Sequence, residues 1–166
     1  MPIDNIYEQI KIMKKKFSLL SILFFISTAL FSQQWYPVGA NDSDSDVIEG
    51  TSFSHIAISS TGVVYQAFID KNNGNKASVR KLDGDKWTHV GTPGFSPSTV
   101  GGDIKIMVDS QAAPYVYFRD GNQGNRGTVM KFTNNAWVVQ YWAGFSDGSA
   151  ADLNLAINLS NNTPYY

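Results

Sequence analysis

Two kinds of hydrophobic pattern divide the chain. An unbroken apolar run extends from Phe17 to Phe31, and beyond it the apolar residues come in short β-branched and aromatic stretches. Gly, Asn, Asp and Pro bound these later stretches, which is typical of strands rather than helices. The pattern predicts a leading apolar segment followed by an all-β region.

The leading segment has the organisation of a secretory signal peptide. Lysines at positions 14–16 precede the apolar run, and Ser32 and Gln33 follow it; this is the order of basic, apolar and cleavage regions in such a signal. The run is shorter than the roughly 20 residues that a membrane-spanning helix needs. We expect residues 1–33 to be a cleaved signal peptide with a helical apolar part. An uncleaved membrane anchor or a buried core helix is the alternative. A start of translation at Met13 is a further hypothesis, because three lysines would then lead directly into the apolar run.

The region after the signal repeats itself with a period of about fifty residues. Trp35, Trp87 and Trp137 recur at spacings of 52 and 50. A gapless shift of 50 residues pairs many identical residues, among them Ile56/Ile106, Tyr65/Tyr115, Phe68/Phe118, Asp70/Asp120, Gly74/Gly124 and Lys81/Lys131. Such self-similarity indicates a repeat architecture.

Each period has room for four short strands. In the best-defined period the strands are predicted at Ile104 to Asp109, Pro114 to Arg119, Arg126 to Phe132 and Trp137 to Tyr141. Four antiparallel strands per unit, repeated in tandem, predict the blades of a β-propeller, and a β-sandwich is the alternative. The expected fold class is therefore all-β. Residues 34–166 would form a partial β-propeller, with units that start near Trp35, Trp87 and Trp137.

The number of units sets a further expectation. A propeller ring needs about four to eight blades, and the third copy stops within Thr163–Tyr166. We expect the remaining blades elsewhere in the same protein, or self-association of the chain, because open sheet edges invite aggregation.

The amino-acid composition excludes several classes of function and of site. The 166 residues include 13 Lys plus Arg, 14 Asp plus Glu and no Cys. This balance argues against nucleic-acid binding, and the missing thiols exclude disulfides, thiolate metal sites and thiol nucleophiles. His55 and His89 fall at unrelated positions of the repeat and predict no metal site.

Two sets of acidic residues are candidate calcium ligands. Asp42, Asp44 and Asp46 alternate with serines in one loop, as hard oxygen ligands do at the start of a calcium loop. Asp70 and Asp120 begin the Asn- and Gly-rich turns of the repeat. A solvated acidic loop explains the first set, and turns closed by Asx hydrogen bonds explain the second. No other cofactor is predicted.

The remaining candidates are a serine motif and three aromatics. Gly144–Gly148 matches the G-x-S-x-G pattern of nucleophile elbows, but it lies in a predicted loop and its repeat Gly94–Ser98 marks it as structural. Tyr36, Tyr141 and Trp142 do not recur, and we predict them as ligand contacts. The recurring tryptophans are interpreted as packing residues between blades.

Several segments resemble a known kind of protein. Five segments are similar to the tandem repeats of secreted bacterial β-propeller proteins, including cargo of type IX secretion. They are Trp137-Val-Val, Gly144–Asp152, Leu155-Ala-Ile157, Pro114-Tyr-Val116 and Thr128–Phe132. The resemblance covers residues 35–166. It implies a propeller fold and an extracellular location, and it supplies no catalytic residues.

The sequence therefore predicts a non-enzymatic binding or display module for glycan or protein ligands. The expected location is secreted or at the cell surface, without membrane attachment once the signal is cleaved. One alternative is part of a propeller-fold glycoside hydrolase or lyase whose catalytic residues lie in missing blades. Another is a degenerate gene fragment.

Overall fold

The computed structural model describes residues 6–16 and 53–166, which fall in two separate units of the chain. Residues 6–16 form a helix with every side chain exposed. Within the described ranges, no helix has the length and apolarity needed to span a membrane. The predicted apolar run and cleavage region, Trp35, Tyr36 and the loop of Asp42, Asp44 and Asp46 lie outside the described residues.

The second unit is built from antiparallel strands. From residue 53 onward the described chain forms a four-stranded sheet 1 in the order β1-β2-β3-β4, a four-stranded sheet 2 in the order β5-β6-β7-β8, and a two-stranded hairpin 3 of β9 and β10. The strands are β1 Ser54–Ile58, β2 Val64–Asp70, β3 Lys76–Asp83, β4 Lys86–His89, β5 Val100–Val108, β6 Pro114–Asp120, β7 Arg126–Thr133, β8 Ala136–Gln140, β9 Ala156–Asn158 and β10 Thr163–Tyr165. The prediction of an all-β region with four-stranded antiparallel sheets is confirmed for these residues.

Sheets 1 and 2 correspond element by element at an offset of 50 residues. Strand β2 matches β6, and the short 3-10 helix Lys71–Asn73 matches Gly121–Gln123. The predicted first strand of sheet 2 begins earlier than expected, at Val100, because a register shift between Val100 and Ile104 extends its pairing with β6. The predicted last strand ends one residue early, before Tyr141, which has a positive φ that pleated pairing does not allow.

The core lies between the facing surfaces of sheets 1 and 2. Strand β6 is buried on both of its faces. Val116 and Phe118 point toward sheet 1, while Tyr115 and Tyr117 point away toward hairpin 3, as the two-residue period of a strand requires. The cluster between the sheets contains Tyr65, Ala67, Ile69, Ala77, Val79, Ile104, Ile106, Val108, Val116, Phe118 and Met130. A second cluster joins sheet 2 to the segment that ends in β9.

A Gly-Phe-Ser segment after each sheet ties the chain back to the third strand. The Gly94 amide donates to Ser78 Oγ at 2.7 Å, and the Ala77 amide donates to Ser96 Oγ at 2.9 Å. In sheet 2 the Gly144 amide donates to Thr128 Oγ1 at 2.9 Å and the Gly127 amide to Ser146 Oγ at 3.0 Å. Each serine hydroxyl satisfies a backbone amide and in turn donates to a nearby carbonyl, Ser98 O or Gly148 O. We call these two segments the Gly-Phe-Ser clips.

Trp137 closes the seam between the two sheets. Its indole stacks on Phe95 with ring centroids 4.0 Å apart, and Nε1 donates to the Val90 carbonyl at 2.9 Å. Gly91 lies beneath this indole with φ +75°, where an added Cβ would meet Phe132 at 2.8 Å and Trp137 at 3.1 Å. The packing interpretation of the recurring tryptophans fits the surroundings of Trp137.

This seam predicts unequal costs for two glycine substitutions. Gly62 has a similar φ of +84° but nothing within 4 Å of an added Cβ. Gly62→Ala should lower the free energy of unfolding by about 1 kcal/mol, the cost of a left-handed alanine. Gly91→Ala should cost about 1–3 kcal/mol more, because it also overpacks the seam. Urea unfolding followed by tryptophan fluorescence measures both, and equal losses would contradict the close packing described for Gly91.

Candidate functional site

Tyr141 and Trp142 form an exposed aromatic pair directly after sheet 2. Their side chains are 63% and 64% exposed, and their rings meet edge to face with centroids 6.5 Å apart. Tyr166 contacts Tyr141 at 6.0 Å and Phe145 at 4.3 Å, so the pair borders a wider group of rings. The structure thus brings together two of the three aromatics that the sequence predicts as ligand contacts. Tyr36 is outside the described residues.

The backbone holds Tyr141 in an unusual conformation. Its φ is +63°, in the left-handed region that costs a non-glycine residue about 1–2 kcal/mol. The corresponding residue of sheet 1 is Gly91, for which a φ of +75° is ordinary. A bulky residue in this region is a true outlier, and such outliers cluster at functional sites.

The aromatic pair has the surface chemistry of a binding platform. Two rings nearly perpendicular to each other, at 83°, offer flat apolar faces in two directions. The tyrosine hydroxyl and the indole N–H add hydrogen-bonding groups at the edges, and this combination makes Tyr and Trp frequent in interfaces. Sugar rings present apolar C–H faces with hydroxyls around them, and they match this arrangement of apolar faces and polar edges.

A cleft of about 480 Å³ lies between sheets 1 and 2, at the end formed by the β5–β6 and β7–β8 turns. The Tyr65 hydroxyl reaches the Ala112 carbonyl across it, at 3.4 Å. The described residues around it that have polar side chains are Tyr65, Lys81, Gln111, Thr133, Asn134 and Asn135, together with His89 and Lys131. The side chains of His89 and Lys131 point to the other face of their own sheets, toward Phe68 and Tyr115. No carboxylate is among the described residues that line this cleft, and the local charge is positive.

The equivalent lysines of the two sheets have different surroundings. Lys131 Nζ forms an ion pair with Asp109 at 3.1 Å and lies 4.8 Å from the centre of the Tyr115 ring. Burial lowers the pKa of Lys131, but the interactions with Tyr115 and Asp109 together outweigh this effect and raise it. Lys81 occupies the same position in sheet 1, where Ser59 stands in place of the aspartate. No hydrogen bond or ion pair of Lys81 Nζ is found among the described residues.

Asp109 and Ser59 share one structural task. Asp109, only 1% exposed, accepts a hydrogen bond from the Ala113 amide at 2.9 Å, and the Ser59 hydroxyl accepts from the Val63 amide at 3.0 Å. Both side chains close the turn between the first two strands of their sheet. Only Asp109 has a carboxylate oxygen left to bind the neighbouring lysine.

The calcium candidates that fall in the described residues are engaged in hydrogen bonds. Asp70 accepts from the Asn73 amide at 3.2 Å and from Ser78 Oγ at 2.7 Å. Asp120 accepts from Ser98 Oγ at 2.8 Å and from the Asn122 amide at 3.1 Å. Both carboxylates therefore cap the 3-10 turn that follows, as the Asx-turn interpretation expects. Across residues 6–16 and 53–166, no three potential metal-ligating side chains come together.

The two histidines are engaged separately. His55 Nδ1 accepts a hydrogen bond from the Ile106 amide at 3.3 Å and so links β1 to β5. Burial and the neighbouring Lys105 lower the pKa of His55, with smaller opposing effects from Ile106 and Asp103. This favours the neutral imidazole, which is the form that can accept the bond. His89 is exposed on β4, where it contacts Phe68 at 6.3 Å.

The sequence reasoning missed the cleft and the role of Lys81. Lys81 and Lys131 were visible only as an identical pair within the repeat. The signal that could have pointed to Lys81 is the difference between Ser59 and Asp109 at the same position of the repeat. Sheet 1 lacks the carboxylate that sheet 2 places beside its lysine, although both sheets keep the lysine.

Comparison with known proteins gives no match: neither a family model, nor a curated protein, nor a solved structure matches the chain.

The left-handed backbone at Tyr141 predicts that a glycine variant is more stable than an alanine variant, which is the reverse of the usual order. Tyr141→Gly and Tyr141→Ala both remove the ring, but only alanine keeps the Cβ that disfavours a φ of +63°. We expect the glycine variant to be more stable than the alanine variant by about 1 kcal/mol. Thermal and urea unfolding of the two variants provide the comparison. An alanine variant as stable as the glycine variant would mean that Tyr141 carries no backbone strain.

Proposed function

We propose that the chain is part of an exported β-propeller that acts as a non-enzymatic binding module, and that Tyr141 and Trp142 contact a glycan ligand. The observation that carries this proposal is the exposed, perpendicular aromatic pair on a strained backbone. The pair stands where sheet 1 has Gly91 and Thr92, so it is an addition to the shared sheet architecture.

The packing of the sheets supports the propeller part of the proposal. Sheets 1 and 2 are four-stranded meanders that stack face to face, as the blades of a propeller do. In sheet 2, Ile106 and Val108 are buried against sheet 1. Their counterparts Ile56 and Ile58 remain 56% and 65% exposed on the outer face of sheet 1. A further sheet stacked there, from the same protein or from a second copy, would bury them.

The proposed location rests on the signal-like segment. Lysines followed by the apolar run from Phe17 to Phe31 support export to the cell surface or the medium. Glycans are abundant ligands in that setting. The near balance of acidic and basic residues gives no support to a nucleic-acid partner.

A glycan fits the aromatic pair better than a protein ligand does. Protein hot spots centre on aromatics buried in well-packed pockets and surrounded by a rim that excludes water. Tyr141 and Trp142 instead stand open to solvent, and open aromatic faces are suited to stacking on the C–H surface of a sugar ring.

Glycan-array screening of the purified chain, followed by calorimetry on the best ligand, tests the proposal. Trp142→Ala and Tyr141→Gly should each weaken binding at least about tenfold, which corresponds to about 1.4 kcal/mol. Leu159→Ala is the matched control, because Leu159 is an exposed apolar residue outside the aromatic pair. It should leave the affinity unchanged, and the glycan should be recovered uncleaved.

Three outcomes would contradict the proposal. The first is that no glycan binds, and the second is that the control weakens binding as much as the aromatic variants do. Cleavage of the bound glycan by the purified chain would favour the hydrolase or lyase alternative.

A further inference from the structure

The cleft between sheets 1 and 2 has the features of a site for a negatively charged group. We propose that it binds a carboxylate of an acidic glycan, with Lys81 as the counter-ion. This inference rests on the proposed glycan-binding function and specifies the ligand class.

The electrostatics of the cleft favour an anion. Lys81 pairs with Tyr65 across β2 and β3 and lies on the face of sheet 1 that packs against sheet 2, while none of the described lining residues is acidic. The Asp109 carboxylate neutralises Lys131 at 3.1 Å. Lys81 has no such neighbour among the described residues, so one positive charge of the cleft remains uncompensated.

The comparison of the two sheets shows that this charge is not a requirement of the fold. Sheet 2 keeps the lysine and pairs it with Asp109, whereas sheet 1 keeps the lysine and replaces the aspartate by Ser59. The serine still closes its turn through the Val63 amide at 3.0 Å. The change therefore leaves the turn intact and frees the ammonium group of Lys81 for another partner.

The size and the other groups of the cleft fit a sugar acid. Its volume of about 480 Å³ lies within the roughly 300–1,000 Å³ typical of ligand sites. Asn134 and Asn135 form a tight turn with φ of +48° and +62°, and both side chains are exposed beside the cleft. Their amides and that of Gln111 can donate to hydroxyls and accept from them. A single lysine acts as a point charge, which suits one carboxylate at a time.

The experiment compares charged and neutral forms of the same oligosaccharide. The probes are tetragalacturonate and an alginate tetramer, each tested beside its methyl ester, which has the same sugars without the charge. The binding protein is the chain itself, as the wild type, as Lys81→Met and as Lys86→Met. Methionine preserves the apolar stem of lysine and removes the ammonium, and Lys86 is an exposed lysine that does not line the cleft. Thermal unfolding of each variant shows that it is folded.

We expect the wild type to bind at least one acid form about fivefold or more tightly than the ester. Lys81→Met should abolish this preference, and Lys86→Met should retain it. Raising the salt from about 0.05 M to about 0.5 M should weaken the preference, because added ions screen the charges. Equal binding of acid and ester by the wild type, or equal losses in both lysine variants, would overturn the inference.

The two proposals fail in different ways. If neutral glycans bind through Tyr141 and Trp142 while no probe distinguishes acid from ester, the acidic-ligand inference is wrong and the proposed function stands. If the acid binds through Lys81 and the aromatic variants bind as the wild type does, the role of the aromatic pair is wrong. If no glycan binds, both proposals are wrong.

Discussion

The described β-region depends on one constraint, which is that sheet 2 is apolar on both faces and must be covered on both. Strand β6 shows this most directly, because Val116 and Phe118 are buried toward sheet 1 while Tyr115 and Tyr117 are buried toward hairpin 3. At about 25 cal/mol per Å² of apolar surface, a sheet with two such faces gains most of its stability from its neighbours. A single sheet of this kind would expose one or both apolar faces to water, which costs free energy in proportion to the apolar area left uncovered.

The polar elements of the fold maintain this stacking. The Asp70 and Asp120 caps fix the turn that leads into the third strand of each sheet, and the Gly-Phe-Ser clips return the chain to that strand before it enters the next unit. Buried polar groups are costly unless they are paired, and these carboxylates and hydroxyls are paired with one another and with backbone amides. These hydrogen bonds hold the connection from one sheet to the next in a single conformation.

Both candidate sites lie next to a connection between successive sheets of the β-region. The cleft of Lys81 is bounded by sheets 1 and 2, and Tyr141 follows the last strand of sheet 2 at the position that Gly91 occupies at the seam. At these junctions the two sheets differ in sequence. Sheet 1 has Ser59 where sheet 2 has Asp109, and sheet 2 has Tyr141 where sheet 1 has Gly91.

The sequence predicted the repeating features well. The identical pairs at an offset of 50 led to strand positions within a few residues of those observed, because turn residues such as Asp70 and Gly74 act locally. The early start of β5 could not be predicted, since the register shift near Gly101 and Gly102 depends on pairing with β6. The cleft was missed for the same reason, because it forms only when two sheets pack together. Tyr141 and Trp142 were predicted as ligand contacts because they break the repeat, and that role stays a prediction; their edge-to-face contact and the left-handed backbone at Tyr141 could not be read from the sequence.

Native-state amide hydrogen exchange of Phe118→Ala tests most directly whether the stacking of sheets 1 and 2 holds this region together. Phe118 belongs to sheet 2 and is fully buried against sheet 1, so its truncation should cost about 3–5 kcal/mol. If the two sheets stabilise each other, the opening free energies of the Ala67 amide in sheet 1 and the Val129 amide in sheet 2 should fall by similar amounts. A loss of protection confined to Val129, with Ala67 unchanged, would contradict the account, because it would mean that sheet 1 is stable without the facing surface of sheet 2.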